Sequence, residues 1–239
     1  MNKKQIKKTV ILSVLFFLPV IFLLFLYPST HNYNTLDVVK EDVIELNAFL
    51  TNNNEAVNLE GNLTVISFIG NQPLEKMTAI LNLKELIYDK FKGFKKFQMV
   101  SIIPYGAEAQ VAEMKKELMK YDVLDYWKFV YGDNKAITNL HYSLLSKYDL
   151  DYNLSTEEVY IVDKTRSQRG RLDDRTDAEM EKNKPVYGLQ SYNCIEVAEI
   201  KNKMSEDLRI LFTEYRQKRK GNFDSSTRRA DDIKANEKN

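Results

Sequence analysis

Cysteine is almost absent. Cys194 is the only one in 239 residues, so no intramolecular disulfide can form. A lone cysteine in an exported protein is either a buried side chain or a spare thiol, and burial is the expectation for Cys194. Histidine is nearly as scarce, with only His31 and His141. No sign of charge dominates, since 35 Lys and Arg stand against 34 Asp and Glu. That balance speaks against general nucleic-acid binding, which takes a basic face to neutralise phosphates. Long apolar runs are missing too, with one exception near the N-terminus.

The exception is Thr9 to Tyr27, TVILSVLFFLPVIFLLFLY, which carries no charge. As a helix it would span roughly 28 Å, close to the bilayer core of about 30 Å. Pro19 falls mid-span, where membrane helices tolerate proline better than soluble ones do. Lys3, Lys4, Lys7 and Lys8 precede the run and are expected to stay in the cytoplasm. A cleaved signal peptide is the rival reading, but the run exceeds a usual signal core and no small-x-small site follows. No cysteine follows the run either, so a lipoprotein anchor is excluded. The expectation is a single-pass cell-membrane protein, its N-terminus cytoplasmic and its domain periplasmic or otherwise extracytoplasmic. The lipid bilayer is then a partner through residues 9–27.

The segments expected along the chain are a basic 1–8, a span at 9–27, a linker and edge segment at 28–54, a domain at 55–215 and a disordered charged tail at 216–239. In the domain, AVNLEGNLTVISFIG reads as a hairpin turning at Glu60, Gly61 and Asn62. Leu63 to Ile69 is the first central strand, apolar enough to be covered on both faces. Pro73 suits an early helix position, and helical spacing runs from Met77 to Phe91 before Gly93. Strands are expected at 97–103, around YWKFVYGD and at EEVYIVDK, with helices at 107–121 and 134–150. Residues 169–172 are the expected hairpin partner of the last of these strands. Residues 174–195 read as a polar insertion, and Val197 to Tyr215 as a final helix. Strands alternating with helices imply an α/β fold with a mixed sheet and helices on both faces, in thioredoxin-like order. The tail carries eight basic and four acidic residues and almost nothing apolar, as a disordered segment does.

These residues resemble the Sco/SenC family, membrane-anchored thioredoxin-like proteins of cytochrome oxidase copper assembly. VISFIG running through a short loop into EKM resembles the family's strand, Cys-x-x-x-Cys-Pro loop and helix. MVSIIP, WKFVYGD and VYIVDK resemble its later strands. The resemblance implies redox or copper chemistry at the loop, but the two cysteine positions match Gly70 and Leu74. The ligand histidine, expected before the last parallel strand, falls near Ser155 or Thr156. Copper(I) calls for thiolate or imidazole, and disulfide exchange calls for a thiolate. No catalytic, cofactor-binding or metal residue is therefore assigned, and the chain is not expected to be an enzyme. Gly70, Asn71, Gln72 and Pro73 are expected to form a partner-contact loop, the partner being a protein such as an oxidase assembly factor.

Other candidates have bland readings. His141 in NLHYSLL reads as a packed or surface helix residue, although Met77, His141 and Cys194 together would suit a soft metal. Asp173, Asp174, Asp177, Glu179 and Glu181 lack calcium-loop spacing and read as a solvated insertion. Arg166, Arg169, Arg171 and Arg175 read as hairpin-tip charge. The reading is a membrane-anchored binding or assembly module. A copper carrier or thiol enzyme with unrecognised ligands, and a purely structural tethered domain, are the alternatives.

Overall fold

The computed structural model describes residues 3–26, 35–120 and 123–219 and divides into two compact units, Met1–Asn34 and Thr35–Asn239. In the first, helix α1 is Lys3–Leu26, with Pro19 inside it. The apolar side chains described there, at residues 11–22, are all exposed. Among the described residues no helix is long and apolar enough to cross a membrane. Tyr27 and residues 220–239, expected in the span and the tail, lie outside the described residues.

The second unit is built on one mixed sheet. Its strands are β1 (Asp37–Lys40), β2 (Leu50–Thr51), β3 (Leu63–Ile69), β4 (Phe97–Pro104), β5 (Trp127–Gly132), β6 (Ser155–Val162), β7 (Gln168–Gly170) and β8 (Tyr192–Asn193). Across the sheet the order is β1-β7-β6-β3-β4-β5-β2, with β8 pairing β6. Every residue of β3 is buried, as its near-continuous apolar run predicts for a central strand. Pairing is parallel from β3 through β4 to β5 and antiparallel from β3 through β6 to β7.

Helical segments cover both faces, as expected. A 3-10 turn (Pro73–Lys76), α2 (Met77–Leu83), a π turn (Lys84–Tyr88) and α3 (Asp89–Phe91) follow β3. The other helices are α4 (Glu108–Leu118), α5 (Asn134–Tyr142), α6 (Asp177–Glu181) and α7 (Ser205–Arg219), the last entered through a π turn at Glu199–Met204. The strand period of two divides the core. Leu63, Val65 and Ile69 join Ile80 and Ile87, Met114 of α4 and Leu211 of α7 on one face. Ile66 and Phe68 join Leu140 of α5, Leu46, Phe49 and Leu59 on the other.

Three local expectations are corrected. Residues 56–69 do not form a hairpin. Ala56 bridges Leu50, and both edges of β3 are taken by the longer β4 and β6. Val57 and Leu59 instead press into the second face of the core, while Gly61, at φ +77°, turns the chain. The strand expected to be the last parallel one, β6, runs antiparallel to β3. The helix expected over 134–150 stops at Tyr142. Beyond it Leu144 still packs in the core, which explains why apolar spacing outlasts the helix. At the β2 edge, a Cβ on Gly132 would lie 2.5 Å from Phe49 Cε1, so only glycine lets this strand and Phe49 approach so closely.

Candidate functional site

The loop after β3 begins with Gly70 at φ +76°. That left-handed conformation is open to glycine and strained for most other residues. A Cβ there would lie 2.4 Å from the Asn153 carbonyl oxygen and 2.7 Å from Ser155 Cβ. The Asn71 N–H donates to the same Asn153 oxygen at 3.0 Å. Pro73 is buried at the start of the 3-10 turn. With its amide oriented to suit its neighbours, the Gln72 nitrogen donates to both Glu75 carboxylate oxygens, at 2.7 and 2.8 Å. Leu74 is exposed.

The opposing segment is shaped by Asp151. Its carboxylate accepts from the Asn153 N–H at 2.9 Å, the Ser155 N–H at 2.8 Å and the Ser155 hydroxyl at 2.7 Å. Such a side-chain turn lets Leu154 take φ +59°. The β3–β6 register shifts between Ser67↔Val159 and Ile69↔Ser155, which brings Ser155 against the loop. Gly70, one of the two positions matched to a cysteine, and Ser155, one of the two near the expected histidine, are thus adjacent in space. The Asn153 backbone and the Ser155 Cβ leave no room for a side chain at Gly70.

Cys194 is buried in the same face of the core as Leu83 and Ile200. Its N–H donates to the Glu157 carbonyl at 2.8 Å. Burial, reinforced by Glu157, pushes the thiol up to about 12, so it holds its proton at neutral pH and lacks the thiolate that reactivity needs. His141 is buried on the opposite face, edge-on to Phe68 at 5.3 Å. Its Nε2 lies 3.4 Å from Tyr160 Oη, which in turn lies 2.7 Å from Ser146 Oγ. Burial pulls the imidazole below its usual range, against the charge of Asp149. Met77 packs against the Cys194 face. The sheet therefore separates His141 from Met77 and Cys194. Among the described residues no group of three or more His, Cys, Asp or Glu is placed to hold a metal ion.

The charges of 166–181 serve the fold, and two arginines expected at a hairpin tip are corrected. Arg169 is buried and donates to Asp163 at 3.0 Å, Glu214 at 3.0 Å and the Leu36 carbonyl at 2.6 Å. Burial would raise the Asp163 carboxyl, but donors from Thr165, Ser167 and Arg169 outweigh it and hold the group below its usual range. Arg171 grips Asp207, whose other partner is the Tyr192 hydroxyl at 2.6 Å. Asp174 joins Arg171 and Lys203, and Asp173 pairs with Arg175. Glu179 closes a capping box with Thr176, whose N–H is the first of several donors that hold this carboxyl down to about 2. The sequence signal for these networks was Asp207 and Glu214, seven residues apart on the apolar face of the last helix, where an acid requires a buried partner.

The βαβ unit β3-α2-β4, joined to the antiparallel β6-β7 pair and α7, gives the connectivity of a thioredoxin-like mixed α/β fold. No protein-family model matches the sequence, and no curated protein does. Among solved structures, the chain is similar to BsSco, a member of the Sco family of cytochrome c oxidase assembly proteins. That match has 14% identity and a TM-score of 0.44, covering 71% of this chain and 99% of that one. ScoI from Bradyrhizobium japonicum, solved with copper bound, matches at 14% identity and a TM-score of 0.39, covering 72% and 99%. The mitochondrial 2-Cys peroxiredoxin from Plasmodium falciparum matches at 16% identity and a TM-score of 0.41, covering 77% and 97%.

Proposed function

We propose that this protein is a membrane-tethered, extracytoplasmic binding or assembly module without redox or copper chemistry of its own, serving respiratory oxidase biogenesis. The observation that carries the reading is the contact at Gly70. Where a thiolate would stand, a single Cβ already meets Asn153 O at 2.4 Å. The protonated, buried Cys194 supports the same reading, and the uncharged run 9–27 supports the tether. In the loop Gly70 to Pro73 the two ends are buried, so the contact surface is exposed Asn71 and half-buried Gln72, with exposed Leu74, Tyr105 and Tyr152 at the same end of the sheet. Tyr105 follows β4, which leaves the sheet on the same side as its parallel neighbour β3, and Tyr152 precedes the Asn153 that touches Gly70. Apolar and aromatic side chains around a rigid polar loop suit a protein partner.

A photocrosslinking amino acid at Gln72, in the full chain in its native membrane, tests the reading. The expected result is capture of a defined protein, with the same residue placed at the remote position Lys116 capturing nothing. Tight copper(I) binding by the detergent-solubilised chain, or disulfide reduction lost in Cys194→Ser, would sink it.

A further inference from the structure

One surface remains unused by this reading. Lys90 reaches the start of α7, its Nζ 3.5 Å from Ser205 Oγ, and Lys201 and Arg209 stand about one turn before and one turn after Ser205; burial and these two charges lower the Lys90 ammonium. The Lys164 N–H meets α7 at the Tyr215 hydroxyl, with Arg219 about one turn further on, and burial, Arg219 and Lys96 lower the Lys164 ammonium. Between the two triplets Phe94, partly exposed, stacks on Phe212 at 4.2 Å. On α7, Arg209 and Arg216 are two turns apart along one line, and Phe212 and Arg219 along the next. Lys164 Nζ sits 4.2 Å over the Tyr215 ring. The stripe is thus cationic along its length, with an aromatic side chain in it. Of the acids nearby, Asp89 is paired with Lys84 and Lys92, Glu214 is shared by Arg169 and Lys218, Asp163 is paired with Arg169 though it also acts on Tyr215, and exposed Glu206 lies a turn before Arg209.

We propose that this stripe docks on an anionic phospholipid surface. Lysine and arginine around an aromatic suit the headgroup layer, where basic side chains meet lipid charge. The chain itself argues for lipid over another polyanion. Arg169 ties the Leu36 carbonyl to Glu214 of α7, so the first described residues of the domain lie beside the helix that carries the stripe. Leu36 follows the apolar helix residue Leu26 by ten residues, a tether of at most about 35 Å. This part of the argument rests on the membrane anchoring proposed above.

The test uses the full chain carrying a fluorophore on Lys95→Cys, with buried Cys194 left unlabelled. The protein is mixed with vesicles of phosphatidylcholine alone, or with about a third phosphatidylglycerol, each holding a lipid-attached spin label. The expected result is about threefold more quenching on the anionic vesicles, lost in roughly half-molar salt. The same loss is expected in Lys96→Glu/Lys164→Glu/Arg219→Glu and, independently, in Lys90→Glu/Lys201→Glu/Arg209→Glu. Equal quenching on both vesicles, or quenching unmoved by the second set, overturns the docking. A response to single-stranded DNA with none to vesicles overturns it as well. Flotation on phosphatidylcholine vesicles reports the anchor separately. A chain that floats only on the anionic vesicles retains the docking and loses the anchor.

Discussion

The loop after β3 and the β7–α7 edge use polar chemistry in opposite ways. At the loop, the Asn153 backbone and the Ser155 Cβ fill the space beside Gly70. At the edge, Arg169, Asp163, Glu214, Arg171 and Asp207 are brought together largely out of water. At this edge the buried ionisable groups are paired with one another, tying α7 and residues 36–37 to the sheet. A breach of the edge is therefore expected to unfold the domain, while the loop tolerates only glycine for steric reasons.

The edge should break first. Arg169→Met removes the buried cation that Asp163 and Glu214 share, leaving Glu214 only Lys218 and Asp163 only neutral donors, and a loss of about 3 kcal/mol is expected in urea unfolding. Asp163 adds a pH signature. Its folded-state pKa is depressed, so its contribution is present above its ordinary pKa of 3.8 and is lost as pH falls through the lower folded value. A loss in Arg169→Met below 1 kcal/mol at pH 7 would remove the contrast.

Gly70→Ala comes next, at about 2–3 kcal/mol, because strain at positive φ adds to the overlap with Asn153 O. Gly61→Ala sharpens the comparison. Gly61 has φ +77°, and a Cβ there meets nothing within 4 Å, so only about 1 kcal/mol is expected. Equal losses at the two glycines would show that conformation alone, without the contact, dictates Gly70.

Cys194→Ala should cost about 1–2 kcal/mol from lost packing. In the intact protein the thiol should be alkylated at neutral pH only as fast as the domain opens. Labelling at the rate of a free thiol would contradict its burial.

Smallest is Glu158→Gln. Burial raises this carboxyl above its ordinary 4.5, against a hydrogen bond from Ser191. A raised acid costs stability when ionised, and stability recovers as pH falls through the folded value toward 4.5. The variant should gain about 0.5–1 kcal/mol at pH 7, with the gain fading by pH 4. A gain that grows on acidification would reverse the sign and exclude burial as the cause.

Much of the strand pattern was legible because local residues decide it. Leu63 to Ile69 form a nearly continuous apolar run punctuated by Gly70 and Pro73, and the observed strand has those bounds. Phe97 and Trp127 open their strands for similar reasons. The hairpin before β3 failed because a tempting turn at Gly61 competes with two better partners far along the chain. At the site, the lack of cysteine and histidine in the loop was readable, while the contact of Gly70 with Asn153 and Ser155 was not, since it closes across more than 80 residues. The Arg169 network was not readable, since it closes over 133 residues to Leu36 and 45 to Glu214.

Composition and local pattern by themselves determined that the chain alternates strands and helices, carries one uncharged run near its start and can form no intramolecular disulfide. These follow from side-chain chemistry and spacing, which act within a few residues. Only the tertiary structure decided that β6 runs antiparallel, that His141 and Cys194 lie on opposite faces, and that the loop at Gly70 is packed shut by backbone. Those outcomes depend on which distant segments satisfy each other's hydrogen bonds and fill each other's volume.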